Sequence, residues 1–424
     1  MNDPLRTDVQ VDAAAAAVEA KVIAWRRDFH QHPELSNREF RTADIVADHL
    51  RSLGFSVQTG VAHTGVVGLL DSGQPGPVIA LRADMDALPV AEQVDLPFAS
   101  KVRTTYNGQD VGVMHACGHD CHVAILMGVA EVMSGSKDRL KGKIKFIFQP
   151  AEEGPPAGEE GGAALMIKQG VLENPKPDVI FGLHVFAGIE AGRIAYRPGP
   201  AMASADRIRV VVSGRQTHAA LPWRGVDPIV ISAQIVLGLQ TIISRQVDLS
   251  LEPAVLSIGA IRGGIRDNII PDSVELLGTV RTFDETMRAD IRDRIRNTVE
   301  MIAKSAGATA QVEFDSAYPV TVNDVPLTGR MLPTLERVAG KDRVFLGQKI
   351  TGYEDFSHYQ QKIPGFFYFV GITPRRVDQS GVDPRHSAPN HSPRFFVDES
   401  ALVLGVRSLA HLTLDYMASH PQPG

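Results

Sequence analysis

Nine residues, Met114–His122, read M-H-A-C-G-H-D-C-H and contain three His, two Cys and an Asp. Within them Cys117 and His119 flank Gly118, and a thiolate beside an imidazole suits zinc or another late transition metal. Glycine between them lets the backbone bend so that both side chains reach one point. A lone Cys-x-His also describes a small buried thiol beside a core imidazole, so the metal reading needs more ligands. The chain offers them at isolated turn positions. Glu152 and Glu153 follow F-I-F-Q-P-A, and two adjacent carboxylates with no basic neighbour repel each other and need a reason. His184 falls near the end of D-V-I-F-G-L-H-V-F, and the loop R-H-S-A-P-N-H-S-P-R carries His386 and His391. Of these two His391 lies nearer the last helix, with Ser-Pro to fix its turn. Cys117, His119, Glu153, His184 and His391 are then five candidate ligands. That is one more than a closed tetrahedron needs, and the spacing is long-range rather than finger-like. Two metals sharing one ligand fit better, because a close pair can hold a bridging hydroxide and polarise a carbonyl. Glu152, beside a ligand but not needed as one, is the natural general base.

The elements that position these residues follow from pattern. A helix is expected from about Asp12 to His30, ended by Pro33, which leaves His30 and His32 as helix-end residues. A second amphipathic helix stops at Gly54. Val78–Leu81 and Ile144–Phe148 are short β-branched or aromatic runs that read as buried strands. They deliver Asp84, Asp86, Glu152 and Glu153 just beyond their ends, where sites gather in open α/β sheets. V-A-I-L-M-G-V-A-E-V-M after the Cys-His loop reads as a helix. From about residue 197 the order becomes βαββαβ, with Asp227 and Pro228 starting the first helix. That is a ferredoxin-like module inserted at 197–314, leaving 1–196 and 315–424 as one α/β domain. The fold class is therefore α/β, a central mixed sheet flanked by helices, with an inserted α+β domain.

Composition narrows the function. A net charge of -6 and the absence of a basic, aromatic-studded patch argue against nucleic acid. With 424 residues and only two Cys, four positions apart, the chain fits a reducing compartment rather than a disulfide scaffold. The N-terminus lacks a signal-peptide pattern, and no apolar run looks long enough to cross a bilayer. A cytoplasmic enzyme with no membrane partner is expected.

Seven motifs, in order, now carry a resemblance: L-R-A-D-M-D-A-L-P, M-H-A-C-G-H-D, F-Q-P-A-E-E-G, G-L-H, D-N-I-I-P-D with G-T-V-R-T-F, Y-E-D-F-S and H-S-P-R-F. Over nearly its whole length the sequence resembles the metal-dependent amidohydrolase and peptidase family of hippurate hydrolases, N-acyl-amino-acid amidohydrolases and indole-acetyl-amino-acid hydrolases. The resemblance implies two divalent metal ions, Zn, Mn, Co or Ni, with Cys117 bridging. It implies His119 and His184 on one ion, and Glu153 and His391 on the other. Glu152 matches the family's proton shuttle, and the insertion its lid and dimerisation domain. His218, in G-R-Q-T-H where the family has Gly-Gly-His, would reach a partner subunit's oxyanion in a homodimer. Arg281, helped by Asn268, is the candidate for a substrate carboxylate; on residue type alone a strand-surface ion pair is an equal reading of Arg281. Asp86 would orient His119, or be a plain turn carboxylate. The implied reaction is hydrolysis of N-acyl-L-amino acids. A dipeptidase or carboxypeptidase with the same machinery is the alternative, and a non-catalytic binding protein on the same scaffold a third. Cys121, where relatives carry a smaller residue, and Thr-Gly before Y-E-D-F-S bear on the substrate pocket rather than the ligands.

Overall fold

The computed structural model describes residues 4–374 and 388–419; His386 lies outside them. Two compact units emerge: Met1–Gly199 with Asn323–Gly347 and His358–Gly424, and Pro200–Val322 with Gln348–Ser357. The sequence boundaries fell at 197 and 314, so the second unit also takes in the stretch that carries Tyr353.

The first unit is built on an eight-stranded mixed sheet in the order Ser56–Val61, Gly65–Asp71, Lys143–Gln149, Val78–Asp84, Val179–Glu190, Gly365–Thr373, Ile194–Tyr196, Val344–Leu346. Its centre is parallel: Val78–Asp84 pairs in parallel with both Lys143–Gln149 and Val179–Glu190, which pairs in parallel with Gly365–Thr373. Those strands are buried nearly throughout, as a sheet covered by helices requires. The covering helices include Pro4–Gln31, His119–Ser134 and Leu402–Ser419, whose Val22, Met127 and Val406 share one apolar cluster with the sheet. They meet closely at Gly128, where an added Cβ would stand 2.7 Å from Val22 and 3.0 Å from Val406.

Two strand boundaries differ from expectation. Asp84 is the last residue of its strand rather than beyond it. His184 is the sixth residue of a twelve-residue strand, because A-G-I-E continues the extended run and pairs with Gly365–Thr373. Pairing with Val78–Asp84 nevertheless stops at Gly182, so on that side His184 lies two residues beyond the last pair, level with Asp84.

The second unit has the expected βαββαβ order, with one antiparallel sheet ordered Ala254–Gly263, Ser273–Thr282, Ala205–Ser213, Thr309–Tyr318. Alternate residues Val210, Val212, Leu276 and Val280 turn to one face, where Ile235 and Leu239 of one helix and Ile291 and Ile295 of the other cover them. Asp227 caps the first helix, accepting from the N–H of Ile229 and Val230. A two-residue ribbon, Thr217–His218 against Ile269–Ile270, stands apart from the main sheet. One expectation is corrected here: Pro228–Gln246 is by length and composition apolar enough to cross a membrane, its polar Ser, Gln and Thr residues having hidden the run. In this fold Ile231, Ile235, Leu239 and Ile242 pack it onto its own sheet.

Candidate metal centre

The site is gathered by backbone turns before any side chain is considered. Gly118, at φ +94°, ends the loop and starts the helix at His119. An added Cβ there would lie 2.4 Å from Val185, so only glycine joins Cys117 to His119 against that strand. Ala151, at φ +53°, sits just before the two glutamates, and His391 itself is at φ +71°. Left-handed non-glycine residues are strained and persist where their surroundings hold them. Ala151 is held by its N–H to buried Glu39, and His391 by its N–H to the Ala116 carbonyl at 2.7 Å. Asn390 ties the parts together, donating to the carbonyls of Cys117 and Val185 and accepting from the Ala187 N–H.

These turns bring all five candidate ligands into two overlapping groups, Cys117–His119–His184 and Cys117–Glu153–His391, each with donor atoms within 4.8 Å of one another. The Cys117 sulfur is 3.4 Å from His184 Nε2 and 3.2 Å from His391 Nε2, and His391 Nε2 is 3.0 Å from Glu153 Oε1. Cys117 belongs to both groups. Glu152 is beside them, its carboxylate 3.9 Å from His119 Nε2.

Hydrogen bonds fix which ring nitrogen is available. His184 donates Nδ1–H to the Val185 carbonyl at 2.7 Å, leaving the Nε2 lone pair toward Cys117. His119 Nδ1 faces Asp86 at 3.2 Å, and its Nε2 is buried with no hydrogen-bond partner among the described residues. Asp86 accepts in addition from Ser36 Oγ and from the backbone N–H groups of Glu152 and Glu153. One buried carboxylate thus orients His119 and anchors both glutamates. His122 is excluded as a ligand despite its place in the motif: its Nδ1 is 2.5 Å from Asp84, and its Nε2 accepts the Val185 N–H. Asp84 also pairs with buried Arg82 and so braces His122. The sequence named neither His122, Asn390, Glu39 nor Ser36; only the P-N-H spacing hinted at Asn390.

The donor set fits divalent cations on its electrostatics. Burial, with Glu153, Glu152 and Asp84 nearby, pushes the Cys117 thiol well above its usual range. Burial opposes the charged form of His119, yet Asp84 and Asp86 raise it to about 10. Without a cation, therefore, a protonated thiol, an orphaned imidazole nitrogen and the Glu153 Oε1 that lies beside His391 face one point. A bound cation would satisfy all three by displacing protons from sulfur and nitrogen.

The remaining predicted residues lie in the second unit. His218 and Asn268 stand together on the ribbon, the Asn268 carbonyl accepting the Ala219 N–H. His218 Nδ1 accepts the Ala220 N–H at 3.0 Å, which puts the ring proton on Nε2 as an exposed donor. Arg281 is not with them. It sits at the far end of the ten-residue strand from Ser273, a separation of ~26 Å along extended chain. Among the described residues no ion pair holds Arg281: its Nη1 is buried without a hydrogen-bond partner, and its guanidinium lies over the Tyr353 ring.

Residues 80–415 match the pattern of peptidase family M20/M25/M40. The chain belongs to that family. It is 42% identical to thermostable carboxypeptidase 2 of Saccharolobus solfataricus, over 94% of this chain and 95% of that one. It is also 42% identical to the N-acyl-L-amino acid amidohydrolase of Geobacillus stearothermophilus, over 75% and 82% of the two chains. Among solved structures it is similar to the YXEP protein of Bacillus subtilis, described as a dinuclear metal binding peptidase, at TM-score 0.78, 35% identity, and 95% and 99% coverage. This family member is thus a hydrolase of the expected fold.

Proposed function

We propose that this protein cleaves the amide bond of N-acyl-L-amino acids, releasing a carboxylic acid and an amino acid, with two divalent cations held by Cys117, His119, Glu153, His184 and His391. The observation that carries this reading is the pair of donor groups sharing Cys117, with the Glu152 carboxylate beside them. Bound there, the cations would supply Lewis-acid polarisation of the scissile carbonyl and a more acidic water. The chain's own residues do the rest. Glu152 takes the proton of the attacking water and passes it to the leaving nitrogen. Asp86 keeps the His119 Nε2 lone pair directed inward and fixes the loop that carries Glu152. The exposed Nε2–H of His218 is suited to donate to a developing oxyanion. Arg281 offers a cation to the substrate's free carboxylate.

The distance between the His218–Asn268 ribbon and Arg281 supports a site shared between subunits. His218 and Asn268 would then come from the partner subunit. Surface character supports a homodimer through the second unit. Among the described residues, eleven of sixteen exposed large hydrophobic residues lie in it, Trp223, Leu237 and Ile265 included. The Ala254–Gly263 strand is also at a sheet edge, where a second strand can pair. Both cysteines are free thiols, in keeping with a cytoplasmic, reducing setting.

Peptide cleavage is the second reading, favoured by the carboxypeptidase relative. A dipeptide presents the same amide and the same terminal carboxylate. The deciding experiment strips the enzyme of metal, restores Zn, Mn, Co or Ni singly, and screens N-acetyl-, N-benzoyl- and N-indole-acetyl amino acids beside plain dipeptides. Preference for the acylated substrates is expected. Faster turnover of dipeptides would install the second reading, and no turnover of either would overturn both.

A further inference from the structure

Arg281 is half-buried and is held unlike the buried arginines of this protein. Arg26 reaches Asp120 at 2.9 Å, Arg82 reaches Asp84 at 2.5 Å and Arg288 reaches Asp206 at 2.7 Å. Among the described residues Arg281 has no such carboxylate, and its Nη1 is enclosed without an acceptor. An interior N–H left bare is a standing cost that a fold tolerates only with a reason. What Arg281 does have is a ring. Its guanidinium carbon is 4.7 Å from the Tyr353 centroid, and Tyr353 stacks on Tyr318 with centroids 4.3 Å apart and planes at 25°. The three residues come from separate stretches: the end of the strand Ser273–Thr282, the end of Thr309–Tyr318, and the returning segment Gln348–Ser357.

We propose that Tyr353, backed by Tyr318, is a positioning residue for carboxylate recognition, holding the Arg281 guanidinium by its face so that its N–H edge is kept for the substrate. The inference rests on the assignment of Arg281 to the substrate carboxylate made above. A cation over a ring face is attracted without consuming any N–H, so the planar fork stays whole for a bidentate anion. An ion-pair partner would hold the side chain as firmly but would occupy that fork. Burial also strips water from Arg281 and lowers its pKa, so an arriving carboxylate meets a poorly solvated cation. The chemical class selected is therefore an acyl amino acid with a free α-carboxylate, over its esters and amides.

The test measures kcat and KM for amide cleavage in an N-acyl amino acid and in its methyl ester. Tyr353→Ala should raise KM for the free acid roughly two- to thirty-fold, the range of a partly desolvated cation–π contact. The ester KM, and kcat for both substrates, should stay within about two-fold of wild type. Tyr353→Phe, which keeps the ring face, should restore the free-acid KM. Arg281→Met should raise the same KM more, roughly ten- to a hundred-fold, and adding Tyr353→Ala to it should change nothing further. Should Tyr353→Ala fail to fold, Tyr353→Leu, large and apolar but without a π face, makes the same comparison. If Tyr353→Ala weakens acid and ester alike, the ring is merely structural and the proposal falls. If Arg281→Met raises the free-acid KM but Tyr353→Ala does not, the positioning role alone is lost. If Arg281→Met leaves that KM unchanged, the carboxylate assignment itself is wrong.

Discussion

Replacing Asp86 by Asn would test how the centre is held together. Its Oδ1 faces His119 Nδ1 and the Glu152 N–H, and its Oδ2 accepts from Ser36 Oγ and the Glu153 N–H. An amide has one oxygen and one NH2, so one side of this arrangement must turn donor against donor. If the nitrogen faces His119 and Glu152, two bonds are lost. If it faces Ser36 and Glu153, the Ser36 hydroxyl can rotate and accept, and only the Glu153 N–H is left opposed. The second orientation is cheaper and is the one expected. A bond to a charged acceptor contributes about 1.5–3 kcal/mol, and Asp86→Asn should destabilise the fold by about that much. The displaced residue is Glu153, a proposed ligand, so metal affinity or activity should fall roughly 10–100-fold, as when outer partners of ligands are removed. Urea unfolding, a chelator competition for metal and kcat on the best substrate would be measured together. Stability within about 0.5 kcal/mol of wild type together with unchanged metal affinity would refute the anchoring role.

Glu152→Gln should retain metal and lose roughly 10²–10⁴-fold in kcat, because Gln holds a water but takes no proton; Glu153→Gln should lose metal, and the reverse pattern would exchange the two roles. Cys117→Ser should lose bound metal and activity together, whereas Cys121→Ser, fully buried in the helix core, should keep its metal; equal metal content in Cys117→Ser and wild type would end the bridging assignment. Mixing His218→Ala with Glu152→Gln subunits should restore part of the activity through hybrid dimers, and no recovery after proven subunit exchange would place the whole site in one chain. His30 titrates against Asp120 and Glu92, with Arg26 and His115 also near it; burial opposes its charge, but the Asp120 and Glu92 bonds raise its pKa. Its stabilising charge is therefore full below the unfolded value of about 6.5 and lost as pH rises through the raised folded value. Unfolding of His30→Gln followed from pH 6 upward should lack that loss, and a slope identical to wild type would exclude the His30 contribution.

Much of this protein is written locally. The β-branched and aromatic runs at Val78–Leu81 and Ile144–Phe148 specify buried parallel strands by themselves, because such residues suit a sheet covered on both faces. Asp227-Pro228 starts a helix by local chemistry alone, as the observed cap confirms. The candidate donor types were legible too, since few uses other than metal call for Cys, His and Glu at such isolated positions. What one dimension cannot carry is which atom of a side chain is spent. His122 sits in the same motif as His119, yet an Asp84 bond and a Val185 N–H consume both its nitrogens, while His119 Nε2 is left without a partner. That difference arises from strands 38 and 63 residues away. Distance along a strand is likewise invisible from motif order. Asn268 and Arg281 are close in sequence, but a ten-residue strand carries the chain far from one to the other. Tyr353 joins Arg281 only because a segment returns from elsewhere in the chain. Residue types and local turns set what chemistry is on offer; long-range packing decides which lone pairs and N–H groups remain free to perform it.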